Sequence, residues 1–106
     1  MITLKILAFA FKKNQEWELS PAYDVCHAFR PGSEWVSQHA LSINGKSKDI
    51  KRDDLLNVAQ AMNIKKAGSI INEIDKTVSS WPEFAEEVHV NTELRDKIKG
   101  SLISYM

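Results

Sequence analysis

Apolar and polar positions follow two different rhythms along this chain, and the change falls near residue 50. Residues 2–11 (ITLKILAFAF) are rich in Ile, Leu and Phe and short enough for a strand. The strand is apolar on both faces, as suits one covered on both sides. Lys12-Lys13-Asn14-Gln15 is a polar turn, and Glu16, Trp17, Glu18 and Leu19 alternate as a strand with one wet face does. Together they predict a β-hairpin. Ser20-Pro21 ends it, because proline has no N–H to give to the ladder.

Residues 21–48 carry no sustained period. A short helix over 22–29 and a strand over 40–43 are the expected pieces, separated by a turn cluster at Arg30-Pro31-Gly32-Ser33. Asn44-Gly45 is the strongest two-residue turn signal in the chain.

From residue 51 the period becomes helical. Leu55, Val58, Ala59 and Met62 share a face, with Asp53 and Asp54 in the first turn, where carboxylates suit the positive end of a helix. Ile64, Ala67, Ile70, Ile71, Ile74, Val78 and Trp81 form a second stripe at spacings of three and four. It ends at Ser79-Ser80-Trp81-Pro82, since a helix seldom runs through the residue before proline. Pro82 opens a short helix at its first position, with Phe84, Ala85 and Val88 inward. Asn91 or Thr92 caps a last helix carrying Leu94, Ile98 and Leu102. The fold class is α+β, mainly α: an N-terminal hairpin, an irregular segment, then a bundle of three or four helices.

Composition changes this picture little. The 106 residues suit one small domain over 1–106, with 43% apolar and 26% charged residues. Fourteen basic and fourteen acidic residues give zero net charge, which argues against a broad nucleic-acid surface. The basic cluster Lys46, Lys48, Lys51 and Arg52 is interleaved with Asp49, Asp53 and Asp54, so it reads as a salt-bridged surface. No apolar run reaches the ~18 residues of a membrane span. The first eleven residues have no basic segment before the apolar run and no small-residue cleavage site after it, so they do not read as a secretion signal. Cys26 is the one cysteine, which excludes an internal disulfide and points to the reducing cytoplasm. Cys26 and His27 are neighbours whose side chains diverge on a helix or strand; a buried structural thiol is expected instead of a catalytic pair.

Chemistry enters through a longer pattern. Trp17-Glu18-Leu19-Ser20-Pro21-Ala22-Tyr23-Asp24-Val25 carries W-x-L-S-P-A-Y-D-[VI]. Gly32-Ser33-Glu34-Trp35 and then Gln38-His39-Ala40-Leu41-Ser42-Ile43-Asn44-Gly45-Lys46 form a second block, followed by Asp53-Asp54-Leu55-Leu56 and Trp81-Pro82-Glu83-Phe84. These blocks resemble the C-terminal lobe of HipA-type kinases, the toxins of bacterial toxin–antitoxin systems, and the resemblance runs nearly end to end. It implies a kinase C-lobe-like fold, derived from an ATP-dependent serine/threonine protein kinase.

The resemblance places a magnesium-binding Asp on Asp24, in accord with the ion's preference for hard oxygen ligands. Without it, Asp24 reads as the end of a turn and the start of a helix. Family members carry a catalytic loop resembling D-x-x-x-K-N just before this hairpin. Its Lys falls on Lys5, which becomes the cofactor-contacting candidate. Its Asn falls on Ile6 and its Asp on Met1. No slip of register repairs this, because the first six residues contain neither Asp nor Asn. Phosphoryl transfer depends on positioning and on charge stabilisation by metal and cationic groups, and one Asp with one Lys cannot supply both. No catalytic residue is therefore assigned. His39, Trp35 and Ser42 are candidates for a ligand-facing loop, though a packed loop with Trp35 and Ile43 buried is the preferred expectation.

The expected function is a catalytically incomplete HipA-like kinase C-lobe serving as an interaction or regulatory module of a toxin–antitoxin system. The alternative is one half of a split serine/threonine kinase that phosphorylates a translation-related protein when joined to a separate N-terminal chain. No cofactor is expected for the isolated chain, whereas Mg-ATP belongs to the parent family. The expected partner is a protein: a kinase N-lobe chain, a HipB-like antitoxin or a second copy. Neither direct nucleic-acid binding nor membrane binding is expected.

Overall fold

The computed structural model describes residues 8–23 and 26–105, which fall into two compact units, Met1–Ser42 and Ile43–Met106. The first is built on the hairpin; of the first strand expected over 2–11, residues 2–7 lie outside the described residues. Strands β1 (Phe9–Phe11) and β2 (Trp17–Leu19) pair antiparallel in the register Phe9 with Leu19, Ala10 with Glu18 and Phe11 with Trp17. The turn closes as its residues dictate. Lys12 N–H donates to Glu16 O at 2.9 Å, Gln15 adopts a left-handed φ of 66°, and Asn14 Oδ1 accepts from Glu16 N–H at 3.2 Å. Such local side-chain to backbone bonding is why Asn favours turns.

Beyond Leu19 the described part of this unit holds neither helix nor strand, so the expected helix over 22–29 does not form among those residues. The expected turn does: Gly32 has φ 79°, and Ser33 N–H donates to Arg30 O at 3.3 Å. Proline followed by a glycine at positive φ is the signature of a type II turn.

The second unit opens with the Asn-Gly turn. Ile43 and Lys46 form an isolated antiparallel bridge with hydrogen bonds of 2.8 and 3.0 Å, replacing the expected 40–43 strand. Asn44 (φ 52°) and Gly45 (φ 77°) occupy its two left-handed corners, the backbone that a two-residue hairpin turn requires. Four helices follow: α1 (Arg52–Ala61), α2 (Ala67–Ser79), α3 (Trp81–Glu87) and α4 (Thr92–Ser101). Each packs on the next in chain order. The α2 helix stops at Ser79, and Pro82 occupies the second position of α3, where its missing N–H has no partner to lose. Asn91 caps α4, its side chain accepting from Glu93 N–H and Leu94 N–H at 3.0 and 3.2 Å. Trp81 Nε1–H donates to Arg95 O at 3.0 Å, tying α3 to α4.

The core of this unit is small. Its buried apolar residues are Ile50, Ala59 and Ala85, joined by two buried carboxylates, Asp54 and Asp75. Of the three residues expected to face inward from α3, Ala85 is completely buried while Phe84 and Val88 are exposed. In this seven-residue helix, packed against both α2 and α4, the small Ala85 is enclosed and the longer Phe84 and Val88 side chains stay outside. Met62, expected on the inner face of α1, lies past the end of that helix and is exposed. Among the described residues, no helix is long and apolar enough to cross a membrane.

Candidate functional site

Two features stand out, one in each unit. The hairpin carries an apolar face. Side chains alternate across a strand, so the register sets Phe9, Phe11, Trp17 and Leu19 on one face and Ala10 and Glu18 on the other. All four large residues are between 57% and 68% exposed. Phe11 and Trp17 pack across the strands with ring centroids 5.0 Å apart, a favourable tilted aromatic pair. Lys12 and Glu18 form a 2.8 Å ion pair, both half exposed, which suits contact with water. Among the described residues no ion pair or side-chain hydrogen bond involves Phe9, Phe11, Trp17 or Leu19.

In the helical unit the Asn44-Gly45-Lys46 turn meets Asp54 in the first turn of α1. Asp54 Oδ2 accepts from Lys51 N–H at 2.8 Å, the return half of a capping box. Oδ1 accepts from Asn44 Nδ2 at 2.9 Å, and Lys46 Nζ lies 2.9 Å from Oδ1 and 3.0 Å from Oδ2. The Lys51 backbone N–H, then Asn44 and Lys46, hold the carboxyl well below its ordinary range, at about 2. A carboxylate buried with its lone pairs so occupied does not act as a base or a metal ligand. The Asn-Gly-Lys stretch is thus a fastener between a turn and a helix. Asp54 was expected to be part of a solvated charged surface; the ion pair is present, but the carboxylate is buried. Its signal in the sequence was an acid at the third helical position following an Asn-Gly-Lys turn.

The two site residues read from the sequence, Lys5 and Asp24, lie outside the described residues. Asp24 offers one carboxylate, and Ile6, at the position where the resemblance calls for Asn, offers no ligand atom. Among the described residues no group of three or more His, Cys, Asp or Glu converges to hold a metal. Asp24 with Ile6 does not fit the Asp and Asn pair that the resemblance calls for at magnesium.

The loop candidates separate. Trp35 is 83% exposed, against the expectation of burial, and Ile43 is only half-buried. The backbone around Trp35 is a run of turns in which its N–H donates to Ser33 Oγ at 3.2 Å, so the ring is carried by a loop and not by a helix or strand. His39 is half-buried and Ser42 exposed. Cys26 is exposed, not buried as expected, because the helix meant to bury it does not form among the described residues.

Comparison with curated proteins and with solved structures gives no match. A family model does match, that of the HipA-like C-terminal domain, over residues 4–81. That span covers the hairpin, the irregular segment, α1 and α2, and ends at Trp81, where α3 begins. It is most of the chain and takes in the S-P-A-Y-D and Asn-Gly-Lys blocks together, so this chain belongs to the HipA-like C-terminal domain family.

Proposed function

We propose that this chain is an interaction or regulatory module of a toxin–antitoxin system, a HipA-like kinase C-lobe that does not catalyse phosphoryl transfer alone. The observation that carries the reading is the bare aromatic face of the hairpin. Two isolated strands are marginally stable in water, and a contiguous apolar patch rimmed by polar residues marks an interaction site. A protein partner covers it: a chain carrying a kinase N-lobe, a HipB-like antitoxin or a second copy. The single exposed thiol of Cys26 suits the reducing cytoplasm, where such a complex would form. The test is size-exclusion chromatography with light scattering and a hydrophobic dye, on the wild type and on Trp17→Glu. The expected result is association or dye binding that Trp17→Glu abolishes. A monomer that binds no dye and copurifies with no partner sinks the reading.

A second reading rests on the retained S-P-A-Y-D block. As one half of a split serine/threonine kinase, the chain would bring Asp24 to magnesium and Lys5 to phosphate, with the base supplied by another chain. Titration calorimetry with Mg-ATP, in the presence of a separately encoded N-lobe chain, decides it. Heat that disappears in Asp24→Ala supports the split kinase; no heat in either case removes it.

A further inference from the structure

The last described residues leave α4 in an extended conformation (Leu102 φ −72°, ψ 141°) and run back to the first two helices. The peptide of Tyr105 is held on both sides. Its N–H donates to Asp75 Oδ1 of α2 at 2.7 Å, and its carbonyl accepts from Arg52 Nη1 of α1 at 3.1 Å. Ser104 Oγ adds a bond to Asp75 Oδ2 at 3.3 Å, and Arg52 Nη2 also reaches Gly68 O at 3.4 Å. Asp75 is only 6% exposed. None of the three ion pairs recorded among the described residues includes it, and its carboxylate oxygens are satisfied by the tail. A buried carboxylate without a cation needs such donors. Apolar anchoring of the same segment is slight: Ile103 and Ser104 are exposed, and Leu102 and Tyr105 half-buried.

We propose that residues 102–105 are a latch, a segment fastened to α1 and α2 chiefly through its main chain that opens as a local unit while those helices stay folded. The seat recognises main-chain N–H and C=O and one hydroxyl, so its grip depends little on side-chain packing. Opening gives Asp75 and Arg52 back to water, which replaces the bonds each made to the tail. Segments with few buried contacts open below the global unfolding free energy. The latch also lies outside the span shared with the family, while both of its anchors lie inside it.

The test is amide hydrogen exchange on the full chain, followed residue by residue by NMR. The Tyr105 amide is expected to exchange at least about tenfold faster than amides in the middle of α2, the signature of a sub-global opening. Arg52→Ala is expected to speed Tyr105 exchange further, by about tenfold, with the α2 amides unchanged. Tyr105 exchanging at the same rate as α2 in the wild type would overturn the latch and make the tail part of the core. So would an Arg52→Ala variant in which α2 and Tyr105 accelerate equally.

Discussion

Lys46 Nζ straddles the Asp54 carboxylate, 2.9 Å from Oδ1 and 3.0 Å from Oδ2, while Asn44 reaches Oδ1 from the same turn. One carboxylate therefore fixes both the conformation of a tight turn and the entry of the helix that follows. Loss of that charge undoes both at once.

The pH dependence of this fastener follows from its sign. Asp54 sits at about 2 in the fold against an ordinary 3.8, so its contribution is complete above the ordinary value. That contribution is lost as pH falls from near 4 toward 2, because the unfolded chain takes up the proton first. Urea midpoints measured between pH 6 and pH 2 should fall steeply in that window for the wild type. Asp54→Asn should start lower at pH 6 and show a flatter fall. Parallel curves for the two proteins would count against the assignment.

Gly45 and Gly100 should respond to alanine in opposite directions. Gly45 has φ 77° and nothing near its missing Cβ, so the cost of Gly45→Ala is purely one of backbone conformation, about 1–2 kcal/mol. Gly100 lies inside α4 with open space around it, so Gly100→Ala should stabilise by up to about 1 kcal/mol through helix propensity. Denaturant titration of the two variants checks both signs.

Ala85 of α3 is completely buried, so a longer side chain there must displace its surroundings. Ala85→Leu should cost about 1–3 kcal/mol by overpacking. The same substitution at the exposed Ala61 should lie within about 0.5 kcal/mol of wild type. Thermal melts of the pair measure the contrast.

Trp81→Phe removes the indole N–H and leaves the Arg95 carbonyl without that donor. The expected loss is about 0.5–1.5 kcal/mol, localised to the α3–α4 junction. Hydrogen exchange should show it as faster amides in α4 with α1 unaffected.

How far the sequence foretold this depends on the range of the interaction. Asn44-Gly45, the Arg30–Ser33 turn, the Asn91 cap and the break before Pro82 were legible because each is decided within about four residues. The helix stripes were legible too, but they overstate burial. Phe84, Val88 and Met62 fit an inward pattern and are exposed, since periodicity reports which face a residue lies on and not whether anything covers it. Trp35 and Cys26 were misread for a related reason: apolar character suggested burial, and the segment around them forms no element to bury them. The bonds from Arg52 and Asp75 to Tyr105 span 53 and 30 residues, and no local pattern announces them. As for the candidate site, the S-P-A-Y-D block led to the right family, while the bareness of the hairpin face emerged only with the strand register.

The sparse interior of the helical unit has a calorimetric consequence. Among the described residues only two alanines and one isoleucine are fully buried apolar groups, and the rest of its apolar surface is half-buried or already exposed in the fold. The heat-capacity step should be small, because that step scales with apolar area. The stability curve should then be shallow, so that cooling weakens the unit little.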